Sequence, residues 1–268
     1  MKKILLILTF FTLMTKLSAQ ECEYSEYYPL VELASKYYSQ KNYKESEINF
    51  KLAFDKTEFP LGKDLHLAFL IAEKIKDAEW ALQIATQLAK GGVPLSYFRY
   101  YKKTQWYSQL NAEYKTYSDY YITNFKPELR DKFNSLIERD ATFTRQIMDW
   151  YYGTIEITSE NAYNEANAIY SELKQMTEKY GFPSEHNMGY NYVSRLNKIE
   201  DYHTLALMIH IYKYGERIYE NEIPNYICSG ILHPNSKQIL KQSMGFGNSM
   251  GIEHEMKVRE EMYKKKKE

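Results

Sequence analysis

Glycine and proline are scarce in this chain, 11 and 7 among 268 residues. Sparse punctuation argues against many short strands joined by tight turns and leaves room for long helical runs. Cysteine occurs only at Cys22 and Cys228. Neither lies in a Cys-x-x-Cys pair, so zinc-ribbon and thioredoxin-like chemistry has no support. Net charge is also lacking, with 35 basic against 35 acidic side chains. A chain so balanced carries no electrostatic footprint for nucleic acid, whose binding rests on clustered cations. The one basic run, Lys264 to Lys267, reads as a solvated terminal tail. Beyond the first twenty residues no apolar run approaches about 18 residues, so no transmembrane segment is expected in the mature chain. There is no phosphate loop or calcium loop, and the glycines of "GFGNSMG", which include the spacing Gly247-x-Ser249-x-Gly251, do not follow a strand.

What is present begins with "MKKILLILTFFTLMTKLSAQ". Lys2 and Lys3 form a positive start, Ile4 to Leu13 an apolar run, and Ala19 a small residue at the cut. Residues 1–19 are expected to be a cleaved secretory signal. A lipid anchor would need a small-residue box directly before Cys22, and Gln20 and Glu21 spoil it. The protein is therefore expected to be exported, periplasmic or secreted. An exported chain can oxidise Cys22 and Cys228; one sits on a terminal segment, the other in apolar "YICSGIL", and the sequence leaves their pairing open.

Residues 21–94 carry the packing pattern of tetratricopeptide repeats. Ala34, Tyr37, Ser46, Phe50 and Ala53 put small residues where two helices touch and rings beside them. A second copy follows, with Ala72, Ala81, Ala85 and Leu88, and ends at Gly91-Gly92 and Pro94. Two repeats are too few to stand alone, so they are expected to pack on the rest of the chain. Residues 95–130, rich in Tyr, Phe and Trp between lysines, read as an amphipathic helical connector rather than a base-stacking surface.

Residues 131–245 read as a second helical unit and 246–268 as a polar tail. The region from Pro127 to Gly153 forms one helix. Ala162, Ala166, Ile169, Leu173, Met176 and Tyr180 make a continuous stripe on the next. Gly181 and Pro183 stop that helix. "YHTLALMIHIYKYGERIY", Tyr202 to Tyr219, is expected to be a central helix, and "GTIEITS" is the only stretch near strand quality. The fold class is all-α: tetratricopeptide-like hairpins packed on a C-terminal helical domain.

The stretches "LIERDATFTRQ", "SENAYNEANAIYSELKQMTEKYGFP", "EDYHTLALMIHIY" and "NSKQILKQSMGFG" resemble domain-of-unknown-function family 6624 over about residues 90–245. The Gly181-Phe182-Pro183 corner carries the likeness most clearly. It implies an exported bacterial helical domain following repeats, and no assigned chemistry. Asp140 and Arg145 stand five apart where the family has a tighter spacing, and His233-Pro234 replaces its acidic–basic pair.

His203 and His210 pose the sharpest chemical question. On one helix they would lie about 10.5 Å apart along the axis, too far to grip one ion. They are expected to be buried and hydrogen-bonded. His186, in "PSEHNMG", is a loop candidate whose plain reading is a helix start capped by Ser184. His233 reads as a turn residue. His254 lacks the second histidine of a zinc-protease motif, and His66 has no partner pattern. Asp140 and Arg145, about 140° apart on a helix, are expected to reach different neighbours. No metal and no cofactor is expected. The expected function is a protein- or peptide-interaction module of the bacterial envelope, with Tyr37, Phe50 and Trp106 as binding candidates. The alternative is a hydrolase using His203 and nearby carboxylates, with His186, Asp140 and Arg145 as further catalytic candidates.

Overall fold

The computed structural model describes residues 22–214 and 217–243, with Lys257 and Glu261. The expected signal segment, His254, the run Lys264 to Lys267 and most of the tail lie outside the described residues. Four helices form the first layer: α1 (Tyr24–Ser39), α2 (Tyr43–Phe54), α3 (Gly62–Ile75) and α4 (Ala78–Lys90). Each packs on the next in chain order. Asn42 and Asp77 start α2 and α4 by accepting from the backbone N–H of Glu45 and Trp80. Small residues set the helix spacing: Ala34, Ser46, Ala53, Ala72, Ala81 and Ala85 are all buried. The Ser46 hydroxyl donates to the Ala34 carbonyl at 2.7 Å, so the one polar member of this contact is satisfied.

A 3-10 helix (Leu95–Tyr101) leads into α5 (Gln105–Asn124), which lies against α4. Its rings complete the first core rather than face a partner. Trp106 is 3% exposed and its indole N–H donates to Glu73 at 2.9 Å. Phe50 is fully buried beside Phe54. Both are packing residues, which corrects their expected place on a binding surface. Tyr37 is half-buried.

The second layer begins with α6 (Pro127–Tyr151) and α7 (Ser159–Tyr180). The stripe Ala162, Ala166, Ile169, Leu173 and Met176 is buried against α6 and α9 (Thr204–Tyr214). Gly181 leaves α7 at φ +81°, where a side chain would be strained. Phe182 then buries its ring 4.4 Å from that of Tyr226. Short helices α8 (Glu185–Met188), α10 (Ile223–Cys228) and α11 (Ser236–Gln242) complete the unit. "GTIEITS" forms no strand; the ladder among the described residues is β1 (Tyr192–Val193) against β2 (Lys198–Ile199).

Two cores result, and one segment joins them. After α8 the chain leaves the second core and carries Tyr190 and Ile199 into the first. The Tyr190 N–H donates to the Gly91 carbonyl at 2.8 Å, and its hydroxyl to the Pro60 carbonyl at 3.1 Å. Gly91 and Gly62 make room for the ring; a Cβ on Gly91 would fall inside it. Tyr121 on α5 donates to the Met188 carbonyl at 2.9 Å. A disulfide between Cys22 and Cys228 closes the same junction at its far side, with α10 packed on α1.

Gly91→Ala is expected to lower the unfolding free energy by about 1–3 kcal/mol, the usual cost of overpacking. A urea titration with an unchanged midpoint would show that the Tyr190 ring does not depend on that space. The disulfide spans 206 residues, so Cys228→Ser is expected to destabilise by about 2–5 kcal/mol through freer unfolded chains. The same titration in reductant, on wild type and variant, checks it, because reductant should then alter only the wild type.

Candidate functional site

A cleft of about 680 Å³ opens where the two layers meet. Helix α1 supplies Tyr28, Val31, Glu32 and Ser35 along one wall. The start of α3 supplies Leu61, Lys63 and Asp64; the start of α8, Ser184 and Glu185. Asp201, Tyr202 and His203 precede α9, and His233 and Ser236 precede or begin α11. Apart from the α1 residues, each of these is at or near a helix end, where backbone groups are unpaired and loops can turn side chains inward.

Glu185 is the central feature. Its Oε2 accepts from the backbone N–H of Gly62 at 2.7 Å, so a carboxyl from the second layer caps a helix of the first. Its Oε1 is withdrawn from solvent without a hydrogen-bond partner. Burial pushes its pKa up to about 8, against the Gly62 N–H; the charges of Asp201 and Asp64 add to the rise. Asp64 accepts from the Tyr27 hydroxyl at 2.6 Å, and that hydroxyl accepts from Leu61 N–H at 3.1 Å. Burial raises Asp64 to about 6 although the Tyr27 hydrogen bond pulls the other way. Asp201 pairs with Lys63 at 3.3 Å, and His233 stands 3.8 Å from Glu32. The walls hold two further buried polar atoms without partners, the Tyr202 hydroxyl and Ser236 Oγ.

The candidate histidines part company. His203 is exposed at the cleft, outside the helix that was expected to bury it. It sits at φ +52°, and its carbonyl accepts from Leu207 N–H as α9 begins. Helix α9 begins at Thr204, so His203 stands just outside it. His210 is the packed one: its Nδ1 donates to Asp140 Oδ2 at 2.7 Å, with Thr144 Oγ1 3.0 Å away. Asp140 is buried, so this is a cross-helix pair between α6 and α9. Arg145 is exposed elsewhere on α6. His186, in the first turn of α8, lies 4.6 Å from the Phe59 ring and edge-on to Tyr24, and burial lowers its pKa. Asn187 accepts from Ser184 N–H at 2.9 Å as that helix starts. His66 contacts the Tyr97 hydroxyl in the first layer, and burial lowers it to about 4. Gly181, Phe182 and Pro183 shape the turn that delivers Glu185.

Thus the structure joins His203 to a cleft with Glu185, Asp64 and Asp201, and leaves Asp140 and Arg145 out of it. Sequence reasoning missed Asp64 and Glu185. Glu185 meets Gly62 across 123 positions, and no local pattern marks such a pair. Among the described residues, no three acidic, histidine or cysteine side chains are placed to hold a metal ion. The chain matches no family model, no curated protein and no solved structure.

The raised Glu185 pKa makes stability fall as pH rises. Between about 4.5 and about 8 the unfolded chain has lost this proton while the folded one keeps it. Asp64 acts the same way from 3.8 to about 6, and His66 acts oppositely between about 4 and 6.5. The interval from pH 7 to 8 therefore isolates Glu185. Wild-type stability is expected to drop by about 1 kcal/mol across it, and Glu185→Gln to flatten that slope. Urea unfolding at fixed ionic strength reads both; an equal slope in the variant would assign the effect elsewhere.

Proposed function

We propose that this is an exported helical-repeat protein of the bacterial envelope that binds a peptide segment of a partner in the junction cleft. The observation that carries this reading is the cleft itself, built jointly by α1 and α3 of one layer and by the α8, α9 and α11 ends of the other. Its volume suits several side chains of an extended segment and is too small for a folded domain. Mixed apolar and polar walls are what a peptide, with its alternating backbone and side-chain groups, needs for both burial and orientation. The signal-like start of the chain and the disulfide support export, since such bonds persist in oxidising compartments.

A hydrolase is the second reading, favoured by one observation. Asp64 and Glu185 have raised pKa values of about 6 and about 8 and share the cleft with His203. Carboxyls whose environments hold different protonation states can serve as base and acid.

Filling the cleft tests the first reading. Ser35→Trp, on the α1 wall, is expected to cut recovery of the envelope partner at least tenfold. Ile122→Trp, at an exposed site on α5, should leave it unchanged, with thermal unfolding confirming that both variants fold. Equal recovery by the two would remove the cleft from recognition. Turnover of a peptide lost in Glu185→Gln would favour the second reading instead.

A further inference from the structure

We propose that the junction cleft recognises a cationic side chain, the ammonium of a lysine or the guanidinium of an arginine, presented by the bound peptide. This deepens the peptide-binding reading and rests on it.

Four carboxyl groups line the cleft: Glu32, Asp64, Glu185 and Asp201. The basic groups there are already engaged or open to water. Lys63 is paired with Asp201, His233 stands by Glu32, and His203 is exposed. Among the described residues, Asp64 and Glu185 have no ion-pair partner within 4 Å. The cleft therefore has acidic walls and an unmet demand for positive charge.

A second observation, independent of the charge count, points to a donor-rich occupant. Glu185 Oε1 and Ser236 Oγ are both withdrawn from solvent, both without a hydrogen-bond partner, and both on residues lining this one cleft. Ser236 is 1% exposed. Leaving such atoms unpaired is costly, and native structures rarely do so without a ligand or water to satisfy them. An ammonium offers three donors and no acceptor, and a guanidinium five. Either matches carboxyl and hydroxyl oxygens, whereas an anionic group would meet like charge from the wall's carboxylates. The apolar stretch of Val31, Leu205 and Ile209 gives the aliphatic stem of the side chain a surface to lie on.

Burial of Glu185 is opposed by one backbone N–H, which leaves its carboxyl protonated at neutral pH. The charged and titratable groups of the cleft around it are Tyr28 and Glu32 on α1, Lys63 and Asp64 on α3, Asp201, Tyr202 and His203 before α9, and His233 before α11, with Tyr24 and Tyr190 beside them. An arriving cation favours the ionised carboxyl. Binding should then expel a proton, and affinity should rise with pH from about 6 to about 8.

The test is calorimetric titration of the full chain with blocked tripeptides Ala-Lys-Ala, Ala-Arg-Ala, Ala-norleucine-Ala and Ala-Glu-Ala. A cationic peptide is expected to bind at least tenfold more tightly than the norleucine one, and the glutamate peptide not at all. At pH 7, buffers of different ionisation enthalpy should reveal close to one proton released. Glu185→Gln, neutral and of the same shape, should lose both the proton release and at least tenfold in affinity. Asp119→Asn on α5 should lose neither. Equal binding of the norleucine peptide, or binding of the lysine peptide untouched by Glu185→Gln, overturns the inference. If norleucine or glutamate peptides bind and Ser35→Trp blocks them, the cleft remains a peptide site and only the cation assignment falls. If Ser35→Trp leaves lysine-peptide binding intact, or no tripeptide binds, both readings fall.

Discussion

Tyr190 belongs by chain order to the second helical unit and by burial to the first. Its ring fills a space that exists because residues 62 and 91 are glycines, and its backbone and hydroxyl both bond to first-layer carbonyls. The close approach fixes the distance between the layers, and with it the position of everything on the chain just before and after. Glu185 stands five residues upstream and Asp201 to His203 a short way downstream. Without the seated ring, the carboxyl that caps α3 and the residues that open α9 would have no common frame. The cleft is the space left between two cores pinned at this point.

A site made this way carries a cost in stability. Glu185 is held at a helix start in surroundings too dry for its charge, and Asp64 is raised for the same reason. Apolar substitutes of similar shape would relieve both. The Asp140–His210 contact differs in its partner: there a carboxylate meets an imidazole across two helices, whereas Glu185 meets one backbone N–H.

Much of the architecture was legible because it depends on local periodicity. Ala34, Ser46 and Ala53 mark a close helix contact by their size and spacing, and the stripe from Ala162 to Met176 marks a buried helix face. Gly181 and Pro183 announce a stop because few other residues serve at those backbone angles. The site was less legible. Whether Phe50 and Trp106 face a core or a partner depends on what covers them, and their own neighbours in sequence do not say. His203 and His210 looked equivalent while both were placed on one helix; α9 begins at Thr204, which leaves His203 open while His210 packs half-buried against Asp140. Asp64 in "GKDLH" and Glu185 in "PSEHN" look like ordinary first-turn acids, and only the approach of two layers gives them a shared environment.

The bond between Cys22 and Cys228 has a further consequence through its place in the chain. It links the segment entering α1, which forms one wall of the cleft, to the end of α10, which runs into the opposite wall through Gly230 and His233. Once it is cut, those walls remain associated through α10 packing on α1, the 3.4 Å bond from the Tyr28 hydroxyl to the Leu232 carbonyl, and His233 against Tyr28 and Glu32. Reduction would leave the two jaws held by non-covalent contacts alone, and oxidation fastens them, so the redox state of the surroundings sets how firmly the cleft keeps its width.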